Sequence, residues 1–212
     1  MRKSSLKKTF GFFREWTNWD IDFLNKVYNT HRMKDSHKES RKEKEQIVEA
    51  FVFKICANWE VLTKDLLIDC LNKDTTQFAE HTGFSIPKHL SRDVCKAMIG
   101  GVGYLDFKNV SHLKSFAKKI LVPDNDPFKE ICQKPTGDKI DEFYTMRNYL
   151  AHYSYAATRK LESIYKKEGM KKFREPGDYL LSFNQKNSKR RINVYIDAFV
   201  KAANEMATFL GI

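Results

Sequence analysis

Apolar positions along this chain of 212 residues recur mostly at steps of three and four, the period of an amphipathic helix, and almost nowhere alternate as in a strand. Over residues 10–28, Phe12, Phe13, Trp16, Trp19, Ile21, Phe23, Leu24, Val27 and Tyr28 sit among charges, which predicts an amphipathic helix whose aromatic residues face a core. Residues 30–45 mix both signs of charge with little apolar except Met33, so they are either a solvated linker or the frayed start of the next helix. Ile47, Phe51, Ile55, Trp59, Leu62, Leu66 and Cys70 then step by three or four with no Gly or Pro among them, predicting one long core helix over 47–71.

The period fails over 75–87, where Gly83 and Pro87 punctuate a loop. Ser91 caps a short helix that Gly100 and Gly101 end, a further short helix spans 111–121, and Asp124-Asn125-Asp126-Pro127 is turn chemistry. Ile140, Phe143, Met146 and Leu150 form the next helical face, with Asp138 as N-cap and Asp141 and Glu142 suited to the first turn. The pattern carries this helix past His152 toward Tyr165, up to Gly169 and the Pro176-Gly177 pair. Tyr179-Leu180-Leu181-Ser182-Phe183 has strand character and could pair only locally, residues 184–191 form a polar basic loop, and Tyr195, Phe199, Ala202, Met206 and Phe209 mark a final helix. The expectation is one all-α domain over 1–212 with its core at 45–212, a loop-rich insertion near 100–137 and at most a minor β-hairpin near 178–195.

Charge changes the picture from fold to partner. Lys and Arg exceed Asp and Glu by 11, which favours a polyanion over a small neutral substrate. The excess is concentrated: residues 159–191 carry eleven Lys or Arg against four Asp or Glu, while 46–158 balance at fourteen each. The basic opening Met1-Arg2-Lys3 is followed by charges instead of an apolar core, so no export signal is read there, and no window is apolar enough to cross a bilayer. Cys56, Cys70, Cys95 and Cys132 are too widely spaced for a zinc ribbon or redox pair and read as reduced thiols of a cytoplasmic protein. His81, His89 and Cys95 match no zinc spacing, and Gly100-Gly101-Val102-Gly103 lacks the rest of a phosphate loop, so no metal and no cofactor is expected.

The chemistry concentrates in Arg147-Asn148-Tyr149-Leu150-Ala151-His152. On a helix, Asn148 and His152 stack on one face, and Arg147, about 100° away, reaches over it with its long side chain. Tyr149 and Leu150 point toward packing. An Arg fork matches phosphate oxygens, an amide both donates and accepts, and an imidazole exchanges protons near neutral pH. That set suits transesterification of RNA, in which a 2′-hydroxyl loses a proton and a pentavalent phosphate gathers charge. The spacing alone is weak, because ten Arg and six His in such a chain produce it by chance about 0.3 times, and Arg32 to His37 is a second instance in a purely polar setting. The apolar helical face before Arg147 and the basic segment after His152 distinguish the motif from that coincidence.

The motif resembles the Arg-polar-x3-His form of the signature of HEPN domains. Cys56-Ala57-Asn58-Trp59-Glu60 and Gly103-Tyr104-Leu105-Asp106-Phe107 are similar to a subfamily of stand-alone members, and the similar stretches span about residues 45–155. The resemblance implies a helical bundle of four to six helices and a metal-independent endoribonuclease acting at a composite homodimer site, in a toxin or antiphage setting. It casts His152 as the proton-transfer residue, Arg147 as stabiliser of the phosphorane and Asn148 as orienting the phosphate or the His, with Glu60 and Tyr153 in support. Lys171, Lys172, Arg190 and Arg191 are the candidate RNA-binding residues, and RNA, a second copy and an antitoxin or other defence protein are the implied partners. Some members bind RNA or a partner protein without cutting it, which is the alternative function.

Overall fold

In the computed structural model, residues 3–30, 38–101, 109–132, 135–186 and 188–212 are described. The pair Arg32 and His37, the stretch 103–107 and the side chain of Cys132 lie outside them. The protein is all-α: α1 Lys3–Thr30, α2 Lys38–Lys73, α3 Thr76–Thr82, α4 Arg92–Gly101, α5 Val110–Ile120, α6 Thr136–His152, α7 Tyr155–Lys167, α8 Pro176–Leu181 and α9 Arg191–Phe209. A two-residue hairpin, β1 Phe183–Asn184 and β2 Lys189–Arg190, pairs Phe183 with Arg190 and Asn184 with Lys189 in antiparallel register. Among the described residues no helix is long and apolar enough to cross a membrane.

The chain divides into two compact units, one of residues 1–14, 58–138 and 201–212, the other of 15–57 and 139–200. In the first unit Leu6, Phe10, Phe13, Trp59, Leu62 and Leu66 are buried, with Phe13 edge-on to Trp59 at 6.0 Å between ring centroids. Arg92 at the start of α4 donates from Nε to Asp69 and from Nη2 to Asp65, both at 2.9 Å, and Ser5 Oγ donates to the second Asp69 oxygen at 3.1 Å. Asp69 is 1% exposed, and these partners satisfy a carboxylate that burial alone would penalise.

The second unit carries the candidate site. Ile140, Phe143 and Met146 of α6 are fully buried. The Phe143 ring packs on Tyr195 and Phe199 of α9, with centroids 5.5 Å and 5.4 Å away. Lys139 ties α6 to the end of α7 by donating to Glu142 at 2.7 Å and Glu168 at 2.9 Å, and Tyr195 Oη donates to Glu142 at 3.1 Å. The first turn of α8 is fastened to α2, where Gly177 N–H donates to Glu49 Oε1 at 2.9 Å. A Cβ at Gly177 would lie 2.6 Å from the Glu45 carbonyl oxygen, so only glycine allows this approach. Gly177→Ala is expected to cost about 1–3 kcal/mol in a urea unfolding curve by forcing α8 off α2.

Several elements depart from the sequence expectations, each for a local reason. Residues 76–82 form α3 instead of a loop, closed by Gly83 at φ 73° with its N–H on the Ala79 carbonyl. The short helix expected over 111–121 is present as α5, and the turn expected at 124–127 is part of two 3-10 turns, Pro123–Asn125 and Pro127–Cys132. Asp138 is not the cap of α6 but lies in its first turn. The 179–181 part of the expected strand is the end of α8, which Pro176 starts because its fixed φ suits a first helical turn.

Helix α1 is longer than 10–28 and turns much of its aromatic stripe outward. Phe12 in the first unit is 44% exposed, and Trp16, Trp19 and Phe23 in the second are 38%, 73% and 48% exposed. The buried positions are Leu6, Phe10 and Phe13 in the first unit and Thr17, Asp20 and Leu24 in the second. Asp20 is bound by Lys54 at 2.5 Å, so a polar residue occupies what an apolar pattern would assign to an aromatic one.

Candidate functional site

The α6 helix delivers its polar face at its last turn. Tyr149 and Leu150 are buried as expected, at 7% and 8% exposure, which fixes the rotation of the helix and turns His152 to solvent. Arg147 and Asn148 are half-buried and meet: Arg147 Nη1 donates to Asn148 Oδ1 at 3.1 Å. That bond leaves the Asn148 amide nitrogen as a donor beside the guanidinium. Among the described residues neither Arg147 nor His152 is in an ion pair with a carboxylate, and the His152 ring has no hydrogen-bond partner.

The helix does not continue past His152. Tyr153 adopts φ 44°, a left-handed conformation that costs a residue with a bulky side chain, and its N–H donates to the Tyr149 carbonyl at 2.7 Å. Ser154 then starts α7, its Oγ accepting from Ala157 N–H at 3.3 Å. The reversal places Tyr153 and Tyr155, 65% and 78% exposed, on either side of this cap, directly after His152. Aromatic faces open to solvent suit the stacking of unpaired bases. Tyr153 also rests edge-on against Tyr149 at 5.3 Å, and Arg159 lies over the Tyr155 ring at 5.8 Å.

Tyr149 anchors this corner through its hydroxyl. Tyr149 Oη donates to Glu175, with 3.2 Å and 3.0 Å to the two oxygens, and its ring touches Phe173 at 5.7 Å. Desolvation first, then the hydrogen bond to Glu175, pushes the phenol up to about 12. A group raised in the folded state contributes stability that is intact below its ordinary value of about 10 and lost as pH rises through the folded value. Tyr149→Phe is therefore expected to cost about 1 kcal/mol at pH 8, with the gap from wild type closing between pH 10 and 12 in thermal melts.

The other candidates divide. Lys171 and Lys172 are exposed in the segment between α7 and α8, adjoining Phe173. Arg190 is exposed on β2 and donates to the Leu181 carbonyl at 2.9 Å. Arg191 Nη1 donates to Ser182 Oγ at 2.7 Å and to the Phe183 carbonyl at 3.1 Å, and its guanidinium covers the Tyr179 ring at 4.9 Å, so it braces the hairpin. Glu60 is half-buried on the part of α2 that belongs to the first unit, where its carbonyl accepts from Thr63 Oγ1 at 3.2 Å. Cys56, Cys70 and Cys95 are buried, and Cys70 and Cys95 are free thiols. Among the described residues no group of three or more His, Cys, Asp or Glu side chains is arranged to hold a metal. Sequence reasoning passed over Tyr155, because no Gly or Pro marks the break that the Ser154 cap makes beside it.

Comparison of the chain with protein-family models, with curated proteins and with solved structures gives no match.

Proposed function

We propose that the protein is a metal-independent endoribonuclease of the HEPN type, cutting single-stranded or looped RNA at a site completed by a second copy of the chain. The observation that carries this reading is the state of the motif. Arg147 and Asn148 are joined to each other, His152 is open to solvent, and neither Arg147 nor His152 is neutralised by a carboxylate among the described residues. An Arg and a His serving only structure would be expected to hold carboxylate partners.

In this mechanism an imidazole of His152 takes the proton of the 2′-hydroxyl, whose oxygen attacks the adjacent phosphorus. The bond from O2′ to phosphorus forms as the bond to O5′ breaks, and the facing copy's imidazole protonates the leaving oxygen. Arg147, with the Asn148 amide, holds the charge that gathers on the phosphate oxygens. Tyr153 and Tyr155 stack bases next to the scissile bond, and Lys171, Lys172 and Arg190 attract the backbone. A role as a toxin or antiphage effector, checked by an antitoxin encoded nearby, follows from the same resemblance and is tested by the neighbouring open reading frames.

The experiment is incubation of the purified protein with a loop-containing RNA in EDTA, alongside sedimentation of the same sample. The expected result is a dimer and fragments ending in 2′,3′-cyclic phosphate and 5′-hydroxyl. A strict monomer with RNA present would rule out the composite site. The exposed Tyr153 and Tyr155 favour one second reading, a module that binds RNA without cutting it. Salt-sensitive binding with intact RNA would establish that instead.

A further inference from the structure

A hollow of about 130 Å³ opens on the second unit where α7 ends, outside the Arg147 to His152 motif. Gly169 shapes it. Its left-handed turn, at φ 79°, ends α7, with Gly169 N–H on the Lys166 carbonyl at 3.0 Å and Met170 N–H on the Tyr165 carbonyl at 2.9 Å. The chain so turned brings Met170, Lys171, Lys172 and Phe173 to one hollow with Glu162 and Lys166 of the helix. The Phe173 ring rests on buried Tyr165 at 5.7 Å and stays 36% exposed. It also touches Tyr149, which touches Tyr153 at 5.3 Å, so a row of ring contacts leads from the residue after His152 to the hollow.

The charges in the wall have no partners. Among the described residues neither Glu162 nor Lys166, Lys171 or Lys172 holds an ion pair or a side-chain hydrogen bond, although Glu162 and Lys166 stand four apart on one helix face. The three lysines are exposed, but Glu162 is half-buried, and a carboxylate partly withdrawn from water gains from donors that a ligand brings.

Size and chemistry select the ligand. A space of roughly 150 Å³ accepts one six-membered ring, so this hollow takes the pairing edge of one base while its sugar stays outside. Phe173 and Met170 offer the surface on which an unpaired base stacks. A carboxylate only accepts, and its two oxygens match two parallel N–H donors. Guanine alone among the four bases presents that pair, N1–H beside the N2 amino group, with O6 and N7 left for an ammonium. Adenine and cytosine set a ring acceptor beside the amino group, and uracil sets one N–H between two carbonyls. Each of these turns a lone pair toward the carboxylate.

We propose that this hollow is a guanine subsite: the base of an unpaired guanosine lies on Phe173 and Met170, its N1–H and N2 amino group on Glu162 and its O6 on Lys166, with the neighbouring phosphates on Lys171 and Lys172. The subsite rests on the reading of this surface as an RNA site and gives that site a base preference.

The test is fluorescence anisotropy of the purified protein with a short 2′-fluoro oligouridine, which lacks the 2′-hydroxyl that cleavage needs, and with the same strand carrying one guanosine. The guanosine strand is expected to bind at least about tenfold tighter, the discrimination of one bidentate base contact. Inosine in its place, which lacks only the N2 amino group, is expected to lose most of that gain. Glu162→Gln is expected to abolish the preference and Lys166→Gln to reduce it, with thermal melts unchanged, since neither side chain has a partner among the described residues. Lys171→Gln with Lys172→Gln should weaken both strands alike. Equal affinity for the two strands, an equal gain from adenosine, or a preference that Glu162→Gln leaves intact overturns the proposal. No cleavage is read here: a guanine preference with RNA intact in EDTA would end the nuclease reading alone, and cleavage without the preference would end the subsite alone.

Discussion

Alanine in place of His152 or Arg147 is expected to slow RNA cleavage by a factor of at least about 100, with the fold intact. Under the proposed mechanism the two losses differ in kind: His152→Ala would remove the proton acceptor, and Arg147→Ala would remove the charge that the phosphorane requires. Neither should cost more than about 0.5 kcal/mol of stability. Among the described residues His152 is exposed with no hydrogen-bond partner, and Arg147 bonds only the Asn148 amide. Thermal melts within a few degrees of wild type, alongside lost cleavage, separate a chemical defect from a folding one. Because the proposed function assigns binding to the basic and aromatic surface, RNA affinity in His152→Ala is expected to stay close to wild type.

Phe143→Ala is expected to give the largest stability loss, about 3–5 kcal/mol in urea unfolding. The ring is fully buried and wedged between Tyr195 and Phe199, so truncation opens a cavity at the contact that seats α6 on α9. Against a typical domain stability of about 5–15 kcal/mol, that loss is enough to populate unfolded protein. Phe143→Leu keeps most of the volume and should lose less than half as much. Cleavage by Phe143→Ala should fall with the folded fraction, as expected for a residue that supports Arg147 one turn away without touching RNA.

The α6 and α9 faces were legible because their apolar residues keep a helical period and are the ones buried: Ile140, Phe143 and Met146 in α6, Tyr195, Phe199 and Met206 in α9. The pairing of Arg147 with Asn148 and the burial of Tyr149 and Leu150 follow from the same rotation. The break after His152 was not legible, because no Gly or Pro marks it. It is made by Tyr153 in a left-handed conformation and by the Ser154 cap, a side-chain competition with the helix that periodicity does not register.

Helix α1 misled for the opposite reason. Its aromatic stripe has helical spacing, but burial fell on the adjoining stripe that includes Asp20, because Lys54 supplies the ion pair that permits it. The cavity that Arg41, Arg174, Asp178 and Arg190 line could not be read in the sequence at all, since these residues come from α2, the approach to α8, α8 and the hairpin. Only the folding of α8 onto α2, through Gly177, brings such segments together.

The central claim, that the end of α6 cuts RNA by proton transfer at His152, is tested most directly by single-turnover cleavage of one RNA by wild type and by His152→Ala in EDTA, with product ends identified by mass spectrometry. The expected result is 2′,3′-cyclic phosphate ends from the wild type and a rate lower by at least about 100-fold in the variant. Equal rates, or products with a 3′-hydroxyl, would contradict it.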